Sequence, residues 1–404
     1  MCHVPNGLLI TDALLFDGES AELVETDIRI ADGRIAELGR GIRADVPTIA
    51  AAGRVVGPGL TDAHFHAYAV GLHSDEIEAM PLSYVALAGA TRLRQALARG
   101  FTRVRDVAGG DAGLALALER GHLVAPRYLY TGPALSQTGG HGDPRTITEP
   151  WAPRPGGYTE EVVDGVDALR RAVRERFRMG AHAIKIMTSG GVVSYTDPLR
   201  VPQYSPEEVR AVTDEAARRG RYVAAHAYSP EAIVHSIDNG VRSIEHGNLL
   251  DAATARRMAG AGAVLIPTLA AYDAMDRRGA AMGLAAVSQA KNREVLDAGK
   301  HAIRHALDAG VAVGWGSDLM GDLADDQLVG VRLQAEVMGA LGTLRAMIRT
   351  NAELFGTWPE GGPTAVGAEA DLVVWDGNPV EDLSVVWDES RPRTVILGGR
   401  VVGD

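Results

Sequence analysis

A single cysteine, Cys2, stands in a chain of 404 residues. One thiol cannot close an intramolecular disulfide or build a cysteine metal centre, so the chain fits a reducing compartment and any metal must find other ligands. No run approaches the ~20 apolar residues of a membrane span. The opening Met1-Cys2-His3-Val4-Pro5-Asn6-Gly7-Leu8-Leu9-Ile10 lacks the basic and long apolar regions of a secretory leader. A cytoplasmic protein with no membrane partner is the expectation. Basic residues are outnumbered 40 to 52, for a net charge of -12, which argues against a nucleic-acid partner and favours solubility.

What the chain does have is 46% hydrophobic residues beside 23% charged, with 48 glycines. That is enough to bury a large core and to turn many tight strand-helix junctions. The length suggests two or three domain-sized units, or one large barrel with an appendage. Residues 7–56 run as short alternating segments broken by Asp17-Gly18 and Asp32-Gly33, and the tail repeats this texture around Asp376-Gly377-Asn378-Pro379. Such punctuation predicts antiparallel strands and hairpins. Residues 1–56 plus 366–404 are therefore expected to form one small β-sandwich domain built from both termini.

Between them the pattern changes to strands alternating with helical segments, which calls for parallel βα units. Strands are predicted at 55–66, 102–107, 128–135, 183–189, 222–227, 242–246, 264–269 and 311–318. Helices are predicted at 166–179, 206–219, 230–239, 252–260 and 286–309. Eight such units over residues 57–365 predict an α/β fold, a (β/α)8 TIM-type barrel, with catalytic groups at the C-terminal ends of its strands.

The residues at those ends are of ligand type. Gly57-Pro58-Gly59-Leu60-Thr61-Asp62-Ala63-His64-Phe65-His66 closes an apolar run with two histidines. Strand side chains repeat every two residues, so His64 and His66 face one way and can share an ion, although such a pair is also an ordinary polar feature. Lys185, in Ala183-Ile184-Lys185-Ile186-Met187, is flanked by apolar residues. It reads either as a lysine paired with a buried carboxylate, or as an amine that has taken up CO2 to give a metal-bridging carbamate. His226 and His246 end consecutive strands; each fits an interior histidine or a ligand, and zinc is the default ion for such a set. Asp318 ends Val313-Gly314-Trp315-Gly316-Ser317-Asp318 and reads as a helix N-cap or as a ligand and proton shuttle. His301 and His305 lack a glutamate between them and are read as a solvated helix face. His3, His73, His122, His182 and His235 carry no assignment.

These stretches, together with Ile184-Lys185-Ile186-Met187-Thr188-Ser189-Gly190-Gly191, Ile244-Glu245-His246-Gly247, Ile266-Pro267-Thr268 and Gly367-Ala368-Glu369-Ala370-Asp371-Leu372-Val373, resemble the amidohydrolase superfamily. Within it they resemble the binuclear-metal amidase and dipeptidase group of Xaa-Pro dipeptidases and ochratoxinase, with imidazolonepropionase more distant. The resemblance implies two divalent ions, zinc by default. His64, His66 and Asp318 would hold the first, His226 and His246 the second, and carboxylated Lys185 would bridge them. It implies that His141, in Thr138-Gly139-Gly140-His141, polarises the scissile carbonyl, and that Tyr228 helps bind the substrate; a loop histidine and a surface tyrosine are the plain alternatives.

The expected activity is hydrolysis of an amide bond in a dipeptide, N-acyl amino acid or related small molecule by a metal-activated bridging hydroxide, with Asp318 passing the proton. A cyclic-amide, urea or carbamate hydrolase on the same site is the near alternative, and a non-catalytic binding protein on this fold is the distant one. A homo-oligomer is the expected assembly. Two departures from the family pattern, the loop at 319–327 and Gln334 in place of a glutamate, are expected beside the pocket.

Overall fold

The computed structural model describes residues 7–146, 148, 157–194 and 197–403. Cys2, His3 and the first residues of the opening segment lie outside the described residues. Five strands come first: β1 (Gly7–Leu15), β2 (Val24–Ala31), β3 (Arg34–Gly39), β4 (Thr48–Ala50) and β5 (Val55–Pro58). Then follow β6 (Leu60–Phe65), β7 (Phe101–Asp106), β8 (Arg127–Tyr130), β9 (Ala134–Ser136), β10 (Glu160–Val162), β11 (Ile184–Met187), β12 (Val223–Ala227), β13 (Ser243–His246), β14 (Val264–Ile266) and β15 (Ala312–Val313). The last three are β16 (Leu372–Trp375), β17 (Arg393–Leu397) and β18 (Arg400–Val401).

Both ends of the chain contribute to one sheet, in the order β18-β17-β16-β5-β1-β2-β3, with β4 paired to β1. Its far edge curls back on itself, because Ile35 N–H donates to Ala368 O (3.0 Å) and Ala370 N–H to Gly33 O (2.9 Å). The curl encloses Ile10, Ile28, Ile30, Ile35, Val56, Leu372, Val374 and Ile396. These residues recur at every second position, as a strand with one apolar face requires.

The middle of the chain forms two parallel sheets, β6-β7-β8 and β10-β9-β11-β12-β13-β14-β15. Their edges meet on both sides. His182 N–H donates to Tyr130 O (2.7 Å), and at the other seam Ala63 N–H donates to Trp315 O (3.0 Å) and Asp318 N–H to His64 O (2.8 Å). With β8 and β9 as two halves of the third strand, this closes a (β/α)8 barrel. Helices start where the sequence supplies caps: before Pro206–Ala217, the Ser205 hydroxyl accepts from Glu208 N–H while the Glu208 carboxylate accepts from Ser205 N–H (2.8 Å). Among the described residues no helix is long and apolar enough to cross a membrane.

Three expected strands differ in detail. The run 55–66 is two strands: β5 pairs with β16 in the terminal sheet, and β6 enters the barrel. The third strand breaks at Gly132, which has φ 71°. The eighth keeps only Ala312–Val313 as regular strand, because the residues after it bond sideways: Trp315 N–H donates to Asn351 Oδ1 (3.1 Å) and Ser317 N–H to Asp62 Oδ1 (3.0 Å).

Glycine is required at one of these seam positions. A Cβ on Gly316 would stand 2.5 Å from His64 Cβ and 2.9 Å from His64 N. Gly316→Ala should therefore push β6 away from the end of the eighth strand, at about 1–3 kcal/mol, seen as a lower denaturant midpoint together with weaker metal retention. An unchanged midpoint would show that the seam yields freely.

Candidate metal centre

The candidate ligands lie at the C-terminal end of the barrel, where β6, β11, β12, β13 and the segment after β15 finish. The structure places His64, His66, His141, Lys185, His226, Tyr228, His246 and Asp318 on the wall of one cavity of about 130 Å³. Their spacing is short. His66 Nε2 is 2.8 Å and His64 Nε2 3.3 Å from Asp318 Oδ1, and His246 Nδ1 is 3.5 Å from Asp318 Oδ2. The His226 and His246 rings lie 4.5 Å apart. Among the described residues His64, His246 and Asp318 form a group that could hold an ion, with one ligand atom from each within 4.8 Å of the others. It draws on both expected ligand sets, so the two sets adjoin.

Two of these residues depart from strand geometry. His246 has φ 72° and Asp318 φ 56°, a left-handed backbone that costs a non-glycine residue of order 1–3 kcal/mol and recurs at functional sites. At His246 the consequence is visible. Adjacent strand residues normally point to opposite faces, yet Glu245 and His246 both reach the site. The N-cap alternative for Asp318 fails, because its carboxylate faces imidazoles and the next helical turn, Gly321–Asp326, has no side-chain cap.

Lys185 is 2% exposed. Among the described residues its amine makes no hydrogen bond or ion pair, which sets aside the buried-carboxylate pairing. Burial pushes the ammonium down to about 8, although Glu245 and Asp318 pull the other way. At that value about half the amine is neutral near pH 8, against roughly 0.3% for an ordinary lysine. Burial also holds His226 and His246 well below the usual imidazole range, which leaves neutral rings with lone pairs to donate. An orphaned buried amine among neutral imidazoles and a carboxylate fits divalent cations.

Several supporting residues had no role in the sequence reading. Glu245 accepts from Arg105 Nη2 through both oxygens (2.7 and 2.8 Å) and meets His64 Nδ1 at 2.6 Å. That contact directs the other ring nitrogen of His64 toward Asp318. Burial alone would raise the Glu245 carboxyl, but Arg105 and His64 outweigh it and hold it well below its ordinary range. Buried Asp62 accepts from His64 N–H (3.0 Å), from Ser317 N–H (3.0 Å) and hydroxyl (2.5 Å), and from Gln327 Nε2 (2.9 Å). It ties the first strand to the segment that carries Asp318. By the two-residue period Asp62 shares the face of His64 and His66, which is the signal that could have marked it, whereas Glu245, adjacent to His246, has none.

His141 stacks on His226 with centroids 4.2 Å apart, and its Nδ1 meets Ser194 Oγ at 2.9 Å. Only a glycine at 191 leaves room, since a Cβ there would sit 2.0 Å from the His141 ring. Tyr228 is buried against His226 and His246, and its hydroxyl lies 2.9 Å from that of Tyr272. Tyr228 is therefore not the surface residue of its plain alternative, whereas His141 does lie in a turn after β9, with its ring on the cavity wall. His73 joins the cavity wall, while His301 is exposed on the helix Ala286–Asp308. Gln334 is corrected: it is absent from the cavity wall, and its amide donates to Gly314 O (2.8 Å) behind the eighth strand. Of the 319–327 loop only Met320 reaches the cavity.

The family model described as amidohydrolase family matches residues 55–402. Ochratoxinase of Aspergillus niger is 31% identical over 419 aligned positions, covering 97% of this chain and 86% of its own. A prolidase solved in complex with N-methylphosphonate-L-proline is 40% identical, with a TM-score of 0.95 over 98% of this chain and 99% of that one. A Xaa-Pro dipeptidase solved with methionine in its active site is 28% identical, with a TM-score of 0.86 over 98% and 100%.

The Arg105–Glu245–His64 relay yields a test. Glu245→Gln should weaken metal retention about 10- to 100-fold in a chelator competition. It should also lower stability by about 3–5 kcal/mol, because Arg105 loses its buried counter-charge. Unchanged metal affinity in a destabilised variant would make the contact purely structural.

Proposed function

The chain belongs to the amidohydrolase family and is a hydrolase of amide bonds, and from that premise we propose that it cleaves small carboxylate-bearing amides, dipeptides or N-acyl amino acids, at a two-metal site. What carries the reading is the convergence of six ligand-type side chains and His141 on one cavity. The family generally binds divalent ions, and the proposed pair is zinc. His64, His66 and Asp318 would hold one ion and His226 and His246 the other, with Lys185 as a carbamate between them. When bound, such ions lower the pKa of water toward neutrality and so supply hydroxide near pH 7.

The chain's own residues do the rest. Asp318, kept ionised, takes the proton of the attacking water and delivers it to the leaving nitrogen. His226 and His246 stay neutral through burial. His141 is neutral for the same reason. The Ser194 hydroxyl reaches both Gly191 O (3.2 Å) and His141 Nδ1 (2.9 Å); the tautomer that polarises the scissile carbonyl is the one in which it turns to donate to Nδ1, leaving the ring proton on Nε2. The paired hydroxyls of Tyr228 and Tyr272 offer a donor to the carboxylate of the leaving amino acid. Residues 57–365 would form the catalytic unit and 1–56 plus 366–404 the small sheet unit, in a cytoplasmic homo-oligomer.

The function is tested with metal-quantified enzyme on dipeptides, N-acyl amino acids, their carboxamides, lactams and aryl ureas. Carboxylate-bearing linear amides should turn over best; faster turnover of ureas or lactams would assign the site to that chemistry instead. Asp318→Asn should keep the fold and lower kcat by roughly 10²-fold or more, whereas near-normal kcat would remove its proton-transfer role. Lys185→Ala should lose metal and activity together, with partial recovery in small carboxylates plus bicarbonate. Full metal content at an unchanged rate would exclude the carbamate.

A further inference from the structure

The cavity wall carries three carboxylates that the reaction above does not use: Asp75, which is exposed, Asp143, which holds Arg145, and Glu160. Glu160 opens β10, which pairs in parallel with β9, and it lines the same cavity as the ligands. Its carboxyl carbon lies 3.3 Å from where a side chain on Gly142 would begin, so it stands next to the residue that follows His141. The Ser74 hydroxyl bonds to it, and among the described residues no lysine or arginine pairs with it.

The neighbouring acids differ in this respect. Asp143 holds Arg145 Nε at 2.7 Å. Glu78 accepts from the Tyr158 and Thr159 N–H groups and from the Thr159 hydroxyl. Asp197 accepts from Gly191 N–H (2.9 Å) and the Gln203 amide (3.2 Å). Among the described residues the Glu160 carboxylate has a single hydroxyl partner, and burial, reinforced by the charges of Glu78 and Asp143, pushes its carboxyl up to about 7. A half-buried carboxylate in such surroundings gains most from a cation that arrives with the ligand. Elsewhere on the wall, Leu72, Val192, Tyr228, Tyr272 and Met275 belong to one buried cluster, largely apolar, so a bound molecule meets different chemistry along its length.

We propose that Glu160 binds the α-ammonium group of the acyl half of the substrate, which makes the enzyme selective for amides of unblocked amino acids over acyl groups that lack the amine. The inference rests on the amide-hydrolase reading and deepens it. An α-amino group is carried by the carbon next to the scissile carbonyl. With that carbonyl oxygen on His141, the amine falls toward the carboxylate beyond Gly142.

The test compares an alanyl and a propionyl amide of the same leaving amino acid, which differ only in the amine, at pH 7.5 with metal-loaded wild type, Glu160→Gln and Glu160→Asp. The wild type should favour the alanyl substrate in kcat/KM by about 10- to 100-fold, the scale of a hydrogen bond to a charged group. Glu160→Gln should bring that ratio to within about threefold of one, and Glu160→Asp should retain part of it. A wild-type ratio near one, or a ratio unchanged in Glu160→Gln, would overturn the proposal. If neither amide is cleaved, the hydrolase reading fails separately. Calorimetric titration of the same proteins with L-alaninamide and propionamide then decides: a wild-type preference for the amine that Glu160→Gln abolishes supports the role, and equal binding of the two overturns it.

Discussion

The structure depends on keeping a set of ionisable groups buried at one end of an apolar barrel. Taking an ion out of water costs several kcal/mol unless partners are built around it, and Lys185, Asp318, Glu245 and Arg105 are all so placed. Glu245 and Arg105 satisfy each other through two contacts, and that pair fixes the His64 ring. Asp62 then fixes the backbone of His64 and the segment before Asp318 in one step. Among the described residues Lys185 is the member left without a hydrogen bond or ion pair, and the left-handed backbone at His246 and Asp318 is strain held by these ties. An arrangement that is costly for the empty protein becomes favourable when cations enter it.

Around this centre the barrel sets up unlike surroundings. On one side His141 rests on Gly191 and reaches Ser194. Lys291 Nζ steadies that loop by donating to the carbonyls of Gly191 (2.9 Å), Ser194 (3.0 Å) and Asp197 (2.8 Å). On the other side Tyr228 links through Tyr272 and Thr268 back to His246. The proposed carbonyl-polarising histidine and the proposed carboxylate-binding tyrosine are thus held by separate hydrogen-bond networks, so specificity at one end can change without dismantling the other.

Much of this was legible in the sequence, because period and position are local signals. Apolar runs ending in His64, His66, His226 and His246 mark strand ends, and the alternation of runs with helical segments gives the barrel. What was not legible depends on backbone geometry or distant contact. Alternation places Glu245 on the face opposite His246, yet Glu245 meets His64 and His246 meets Asp318, at a strand end where His246 has φ 72°. Asp62 and Gln327 meet across 265 positions. Gln334 looked like a pocket residue from its place in the family pattern, but it faces the Gly314 carbonyl behind the strand. Glu160 stands on a three-residue strand with no apolar period to mark it.

The claim that everything else serves is that these side chains hold two ions side by side. Anomalous diffraction at the zinc edge, on crystals of the enzyme loaded with zinc in bicarbonate, tests it most directly. Two peaks are expected, one against His64, His66 and Asp318 and one against His226 and His246, with added density on the Lys185 amine between them. A single peak, or two peaks flanking an unmodified Lys185 that touches neither, would contradict it.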